Sequence, residues 1–247
     1  MFKPFVIVQL RPEDLTSDNE YESLLKYGGL TEDQTYRIRA EQNGLPALNL
    51  DDYSGLIVGG SPFDVTSPEY KKSEIQKLLE QQFNDLFEEI IARDYPFLGA
   101  CSGNGLLGNY LGTPMSRKYA EPVCSRIVEV TEEGKKDPLL DGFPDEIDVM
   151  LGHKEACDEV PQNATLLVRG KECPVQMFRV KNNVYATQFH PEGDAEGFIL
   201  RVDVYANHGY FDPLHAEELK TELAKSYSPH SQEILRRFVT RYQVPQN

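Results

Sequence analysis

The chain has 247 residues, and its 40% hydrophobic content is enough for the core of one large α/β domain or two small ones. Its 40 acidic residues outnumber 25 basic ones, and the formal charge of −15 opposes a phosphate backbone, so we expect no nucleic-acid partner. No apolar run reaches the roughly 18 residues of a membrane span. Charge also follows closely on the apolar start of the chain, so we expect neither a signal peptide nor a membrane anchor.

The N-terminal half alternates short β-branched runs with longer helical stretches, which is typical of parallel strands joined by crossover helices. Apolar residues at intervals of three and four over 73–92 predict a helix with one face packed on a sheet. A more polar helix is expected around 19–27. The expected strands of this half are Phe5–Gln9, Thr35–Arg39, Gly55–Val58 and Phe97–Ala100.

Beyond Pro122 the pattern changes to short strands separated by turns, which predicts an antiparallel excursion over 125–130, 165–169, 175–180 and 184–189. A helical tail follows, in which Ser228 is expected to cap a helix and Pro229 to occupy its first position. We see no repeat or flexible linker. The sequence therefore predicts one domain over residues 1–200 and a helical extension over 201–247 packed on it, with docking to a partner as the alternative role of the last helix.

The four cysteines form no C-x-x-C pair, which favours reduced thiols and a cytoplasmic location. Cys124, Cys157 and Cys173 are interpreted as small buried residues. Cys101 differs, because Gly99-Ala100-Cys101-Ser102-Gly103 lies between an apolar strand and a predicted helix, as in a nucleophile elbow. Such a tight turn requires glycine on both sides. The helix start behind it favours a thiolate and offers N–H groups to an oxyanion.

A second candidate segment is Gln188-Phe189-His190-Pro191-Glu192. In an extended chain alternate residues point the same way, and Pro191 keeps His190 out of helical geometry. Glu192 is therefore able to orient the imidazole of His190. Together with a cysteine elbow, this pair indicates a Cys-His-Glu triad.

Three segments, LIVGGSP, PFLGACSGNGLL and YATQFHPEGD, resemble the signature segments of class I glutamine amidotransferase domains, especially the GMP synthase-like group. The resemblance implies a flavodoxin-like doubly wound α/β sheet. It also implies that Cys101 is the nucleophile, that His190 is the general base and acid, and that Glu192 orients His190. By the same resemblance the backbone N–H groups of Gly60 and Ser102 form the oxyanion hole, and neither a metal nor an organic cofactor is required.

The chain departs from the family where a glutamine usually holds the amino-acid end of the substrate, because Gly105 stands there. Asn104 beside it is a candidate replacement. Nothing after Glu192 resembles an ATP-pyrophosphatase domain, so any synthase partner must be a separate chain. Three functions stay open: release of ammonia from glutamine through a γ-glutamyl thioester, hydrolysis of other γ-glutamyl amides or peptides, and a non-catalytic regulatory or binding role. In each case the expected ligand is a small-molecule amide.

Overall fold

The computed structural model describes residues 2–246, and nine of its strands form one sheet. Across the sheet they are β2 (Thr35–Arg39), β1 (Phe5–Gln9), β3 (Gly55–Val58), β4 (Phe97–Ala100), β11 (Val184–Thr187), β10 (Met177–Val180), β9 (Ala164–Arg169), β6 (Glu121–Val130) and β7 (Glu146–His153). The first five strands in this order, from β2 across to β11, pair in parallel. The remaining four, β10, β9, β6 and β7, continue the sheet by antiparallel pairing. Two short strands, β5 (Met115–Ser116) and β8 (Ala156–Cys157), pair separately.

Helices cover both faces of the sheet, because successive residues of its buried strands point to opposite sides. Phe5 and Ile7 of β1 pack in one apolar cluster, while Val6 and Val8 pack in the other. The helices are α1 (Asp14–Gly28), α2 (Ala40–Asn43), α3 (Glu74–Arg93), α4 (Ser102–Tyr110), α5 (Ala195–Val204), α6 (Ala216–Leu223) and α7 (Pro229–Tyr242). Helices α1 and α7 belong to the first cluster, and α3 and α4 to the second. This confirms the doubly wound, flavodoxin-like sheet with an antiparallel excursion and a helical tail.

The tail helix α7 is part of the main core. Ile234, Leu235 and Phe238 are fully buried, and the ring of Phe238 lies 6.2 Å from that of Phe5. Ser228 and Pro229 occupy the N-cap and first positions of α7 as expected, but the Ser228 hydroxyl makes no capping hydrogen bond and instead donates to the Gly193 carbonyl at 3.3 Å.

Four other features differ from what the sequence predicts. Strand β7 was not predicted, and α1 begins five residues before the predicted helix. Leu78, one of the apolar residues that predict the helix over 73–92, is 44% exposed in α3 rather than buried on the sheet. Cys124 is partly exposed, whereas Cys157 and Cys173 are buried as expected. Within residues 2–246, no helix has both the length and the apolar composition that crossing a membrane requires.

Candidate active site

Cys101 lies in a strained turn between β4 and α4. Its backbone has φ 50° and ψ −93°, which an L-residue rarely adopts, and its N–H donates to the Thr187 carbonyl of the neighbouring strand at 2.8 Å. A Cβ on Gly99 would lie 2.7 Å from the carbonyl carbon of Gly103, and a Cβ on Gly103 would lie 3.1 Å from the Val58 carbonyl oxygen. The two flanking glycines therefore satisfy a steric requirement of the turn.

His190 follows β11, the strand beside β4, and is buried together with Glu192. Its Nδ1 lies 2.7 Å from Glu192 Oε1, which also accepts from Arg201 at 3.0 Å. With Nδ1–H donating to the carboxylate, Nε2 is left as an acceptor.

In this pair the carboxylate of Glu192 is charged and the imidazole of His190 is neutral. Burial lowers the pKa of His190, although the neighbouring Glu192 carboxylate acts to raise it. Burial acts to raise the pKa of Glu192, but the His190 imidazole and the Arg201 guanidinium hold it well below its usual range. At neutral pH the arrangement is an ionised carboxylate that orients a neutral imidazole, which is able to accept a proton.

Cys101 and His190 line the same cleft, which we call the histidine cleft. Burial raises the pKa of Cys101 to about 12, although Arg11 and Arg201 act to lower it. Part of Cys101 nevertheless remains accessible. In this state the site therefore pairs a thiol with a neutral imidazole, in contrast to the thiolate expected from the helix start. The cleft is completed by Arg11, Ser61, Val123, Gly152, Phe198, Arg201, Tyr205 and Tyr210.

The two backbone donors expected for an oxyanion hole differ in availability. Ser102 is the first residue of α4, where an N–H group has no acceptor within the helix. The N–H of Gly60 donates to Glu20 Oε2 at 3.2 Å, and this buried carboxylate is held by Arg11 at 2.6 Å. A Cβ on Gly60 would lie 2.7 Å from His190 Cε1, so Gly60 packs directly against the imidazole. Its N–H becomes available only when the bond to Glu20 breaks.

Asn104, the candidate substitute for the family glutamine, is not brought to the cleft. It is fully buried in α4, its Nδ2 lies 3.5 Å from Gln188 Oε1, and its Oδ1 accepts from Cys157 Sγ at 3.7 Å. Both polar atoms of the side chain are thus directed to internal partners.

Cys101 also lines a second cleft, which we call the glycine cleft because it contains Gly105. A Cβ on Gly105 would lie 3.7 Å from both Glu155 Oε1 and Met115 Cε, so a side chain at this position has room. Burial raises the pKa of Glu155, whose carboxylate accepts from the Val65 N–H at 2.7 Å. The other lining residues are Ser61, Phe63, Asp64, Ser102, His153, Lys154, Gln188 and Tyr210.

Tyr210 is a site residue that the sequence did not reveal. It follows α5 in the C-terminal part of the chain, lines both clefts at Cys101, and donates its hydroxyl to the Ser61 carbonyl at 3.3 Å. Lys154 Nζ lies 5.0 Å from its ring centroid. The tail of the chain thus helps to enclose Cys101, and the sequence carried no signal for this contact between distant segments.

Comparison with known proteins gives similarities of three kinds. The family model described as glutamine amidotransferase class-I matches residues 19–198. A glutamine-hydrolyzing GMP synthase subunit of Pyrococcus abyssi is 29% identical over 140 residues, which are 56% of this chain and 66% of that protein. Gamma-glutamyl peptidase 3 of Arabidopsis thaliana is 24% identical over 184 residues, 71% of this chain and 69% of that protein. The chain spans only 26% and 20% of two longer GMP synthases that it matches.

A solved glutamine amidotransferase from Thermotoga maritima has the same fold, with a TM-score of 0.75 and 21% identity over 98% of this chain and 99% of that one. The family model covers most of the chain, including Cys101 and both members of the His190–Glu192 pair. The chain belongs to the class I glutamine amidotransferase family.

Proposed function

We propose that the chain is a cysteine-dependent amidohydrolase that cleaves the side-chain amide of glutamine or a related γ-glutamyl compound. Cys101, His190 and Glu192 act as the triad. The observation that carries the proposal is the strained Cys101 sharing a cleft with His190, whose Nδ1 is held 2.7 Å from Glu192. A cysteine kept only for packing has no need of that backbone strain or of a base beside it.

In the first half-reaction, Nε2 of His190 takes the thiol proton as the sulfur of Cys101 attacks the amide carbon. The oxyanion accepts hydrogen bonds from the Ser102 N–H and from the Gly60 N–H once Glu20 has released it. His190 then gives the proton to the departing nitrogen. The C–N bond breaks, ammonia or an amine leaves, and a γ-glutamyl thioester remains on Cys101.

In the second half-reaction, His190 removes a proton from water as the water oxygen attacks the thioester carbon. The C–S bond breaks, the proton returns to the sulfur, and the γ-carboxylate is released. Glu192 stays ionised throughout and stabilises the imidazolium that forms in each half.

The thioester is the direct test of this proposal. Rapid denaturing quench during turnover of glutamine or a γ-glutamyl anilide is expected to trap the acyl group on Cys101, detected by mass spectrometry of the digested chain. Cys124, which is also partly exposed, is the internal control and should stay unmodified. Cys101→Ala should abolish both turnover and adduct, whereas Cys124→Ala should retain both. Turnover by Cys101→Ala would refute the proposed nucleophile.

Two similarities to known proteins bear on the choice of substrate. The similarity to a GMP synthase subunit favours glutamine as the amide. The similarity to a γ-glutamyl peptidase and the absence of a side chain at Gly105 favour other γ-glutamyl amides as a second candidate. If ammonia is passed to an acceptor, a synthase subunit is the candidate partner for that step. The cytoplasm is the expected location.

Gly105→Gln separates these two substrates. The new side chain enters the glycine cleft beside Glu155, where we expect it to contact the amino-acid end of glutamine. A polar contact of about 1.5–3 kcal/mol would raise kcat/KM for glutamine by roughly ten- to a hundred-and-fifty-fold. A bulkier γ-glutamyl amide should gain nothing or be hindered.

The matched control for this substitution is Asn109→Gln, because Asn109 is an exposed residue of the same helix. Its kcat/KM for both substrates should equal that of the parent. Efficient hydrolysis of glutamine by the parent, unchanged in Gly105→Gln, would show that the contact is already supplied by another residue.

A further inference from the structure

A buried cluster of three metal-ligating side chains lies beside the glycine cleft and has no role in the proposed reaction. Glu121 begins β6, His153 ends β7, and Cys173 lies between β9 and β10. All three are at most 4% exposed. One ligand atom of each lies within 4.8 Å of the other two.

The hydrogen bonds of His153 fix the direction of its ring in this cluster. Its Nδ1 lies 3.0 Å from the Glu155 carbonyl oxygen, and its Nε2 lies 3.1 Å from Glu121 Oε2. A carbonyl oxygen only accepts, so Nδ1 carries hydrogen and a neutral ring presents a lone pair at Nε2. The Glu121 carboxylate, which also has Arg126 Nε 3.5 Å from its Oε1, presents lone pairs on the same side. Both groups therefore present donor atoms to the space that Cys173 Sγ also borders.

Two further buried side chains complete the cluster. Cys173 is fully buried, and its thiol donates a hydrogen bond to the Val175 carbonyl at 3.6 Å. Gln176 donates Nε2 to Glu121 Oε2 at 2.7 Å, while its buried Oε1 has no hydrogen-bond partner within residues 2–246. The Gln176 amide thus holds the Glu121 carboxylate in place beside His153 and Cys173.

We propose that Glu121, His153 and Cys173 bind a divalent transition metal, with Zn²⁺ as the best fit. A mixed oxygen, nitrogen and sulfur ligand set suits Zn²⁺, and the charges of one carboxylate and one thiolate neutralise it. The bond from His153 Nδ1 to a backbone carbonyl is the kind that orients a metal-binding imidazole. Glu121 and His153 also line a cavity of about 330 Å³, which gives the ion a route from solvent.

The metal would be structural, because its ligands come from three separate segments. Binding ties β6 and β7 to the connection between β9 and β10, and it fixes the turn at Lys154 and Glu155 that forms one wall of the glycine cleft. The metal site is thus distinct from the chemistry at Cys101, and metal binding can be measured without any assay of activity.

The test uses Co²⁺ as an optical substitute for Zn²⁺ on the full chain after treatment with a chelator. Equimolar Co²⁺ is expected to give the thiolate-to-cobalt charge-transfer band in the parent and in Cys101→Ser, Cys124→Ser and Cys157→Ser. The band should be absent in Cys173→Ser and displaced or weakened in Glu121→Gln. This set of cysteine variants assigns the sulfur ligand directly.

Zn²⁺ should also raise Tm in the parent and in Cys101→Ser but not in Cys173→Ser. The shift caused by the metal is compared within each variant, so a Cys173→Ser chain that is less stable still gives an answer. If Cys173→Ser does not fold, displacement or weakening of the band in Glu121→Gln with an unchanged band in the three other serine variants supports the site, and an unchanged band in Glu121→Gln overturns it. Absence of a band in the parent would show that the cluster does not bind the metal through a thiolate, and loss of the band in Cys101→Ser would assign metal binding to the active site. Either result overturns the proposal.

Discussion

Removal of residues 227–247 is expected to leave a chain that does not fold cooperatively. The deleted segment contains α7, whose four apolar side chains at the core are at most 1% exposed. Truncation of a single buried side chain of this size typically costs about 2–5 kcal/mol. Loss of all four, together with exposure of the surface they cover on Phe5 and Tyr185, exceeds the roughly 5–15 kcal/mol that stabilises a domain. Thermal and urea unfolding followed by circular dichroism measure the effect.

A chain ending at Tyr242 is the matched control, because it keeps α7 and removes only the last five residues. We expect its Tm to fall by only a few degrees, since the interactions of this end are peripheral, such as the bond from the Lys3 N–H to the Val244 carbonyl. An unchanged Tm after removal of residues 227–247 would contradict the packing role of α7 and favour docking to a partner.

Glu192→Gln is expected to lower kcat on the order of 10³-fold or more with the fold retained. The substitution keeps the size of the side chain but removes the charge that stabilises the His190 imidazolium during acyl transfer. It also leaves the buried Arg201 guanidinium without its ionic partner. Ammonia release at saturating substrate measures kcat, and near-ultraviolet circular dichroism checks the fold.

Glu196→Gln provides the comparison for this variant, because Glu196 is an exposed carboxylate in the same region of the chain. Its kcat should equal that of the parent. A Glu192→Gln enzyme within about tenfold of the parent would remove Glu192 from the proposed triad, and the pair it forms with His190 would then be structural.

The first four strands have the bounds that the sequence predicted, and for β1, β3 and β4 the reason is that buried parallel strands are continuous apolar runs with breaks at both ends. Strand β7 could not be recognised in the same way. Its exposed positions Glu146 and Asp148 interrupt the apolar run, and much of its order comes from pairing with β6. A search for continuous apolar runs therefore misses a strand that has exposed positions on one face.

In the candidate site, too, some features are visible in the sequence and others are not. The turn at Cys101 and the His190–Glu192 pair are short contiguous segments, so their steric and hydrogen-bonding requirements are visible in the sequence. The contact of Glu20 with the Gly60 N–H joins residues 40 apart, and that of Tyr210 with Ser61 joins residues 149 apart. Neither contact has a local pattern, since both arise from the way the whole chain packs.

The adjacency of β4 and β11 has a consequence for how this protein can change. Backbone hydrogen bonds between the two strands, ending with the Cys101 N–H on the Thr187 carbonyl, set the distance between the segments that carry the proposed nucleophile and base. The residues that shape the glycine cleft, such as Lys154 and Tyr210, come from elsewhere in the chain. Substrate preference is therefore free to drift during evolution, or to be redesigned in the laboratory, while the spacing of the reacting groups is preserved by the sheet.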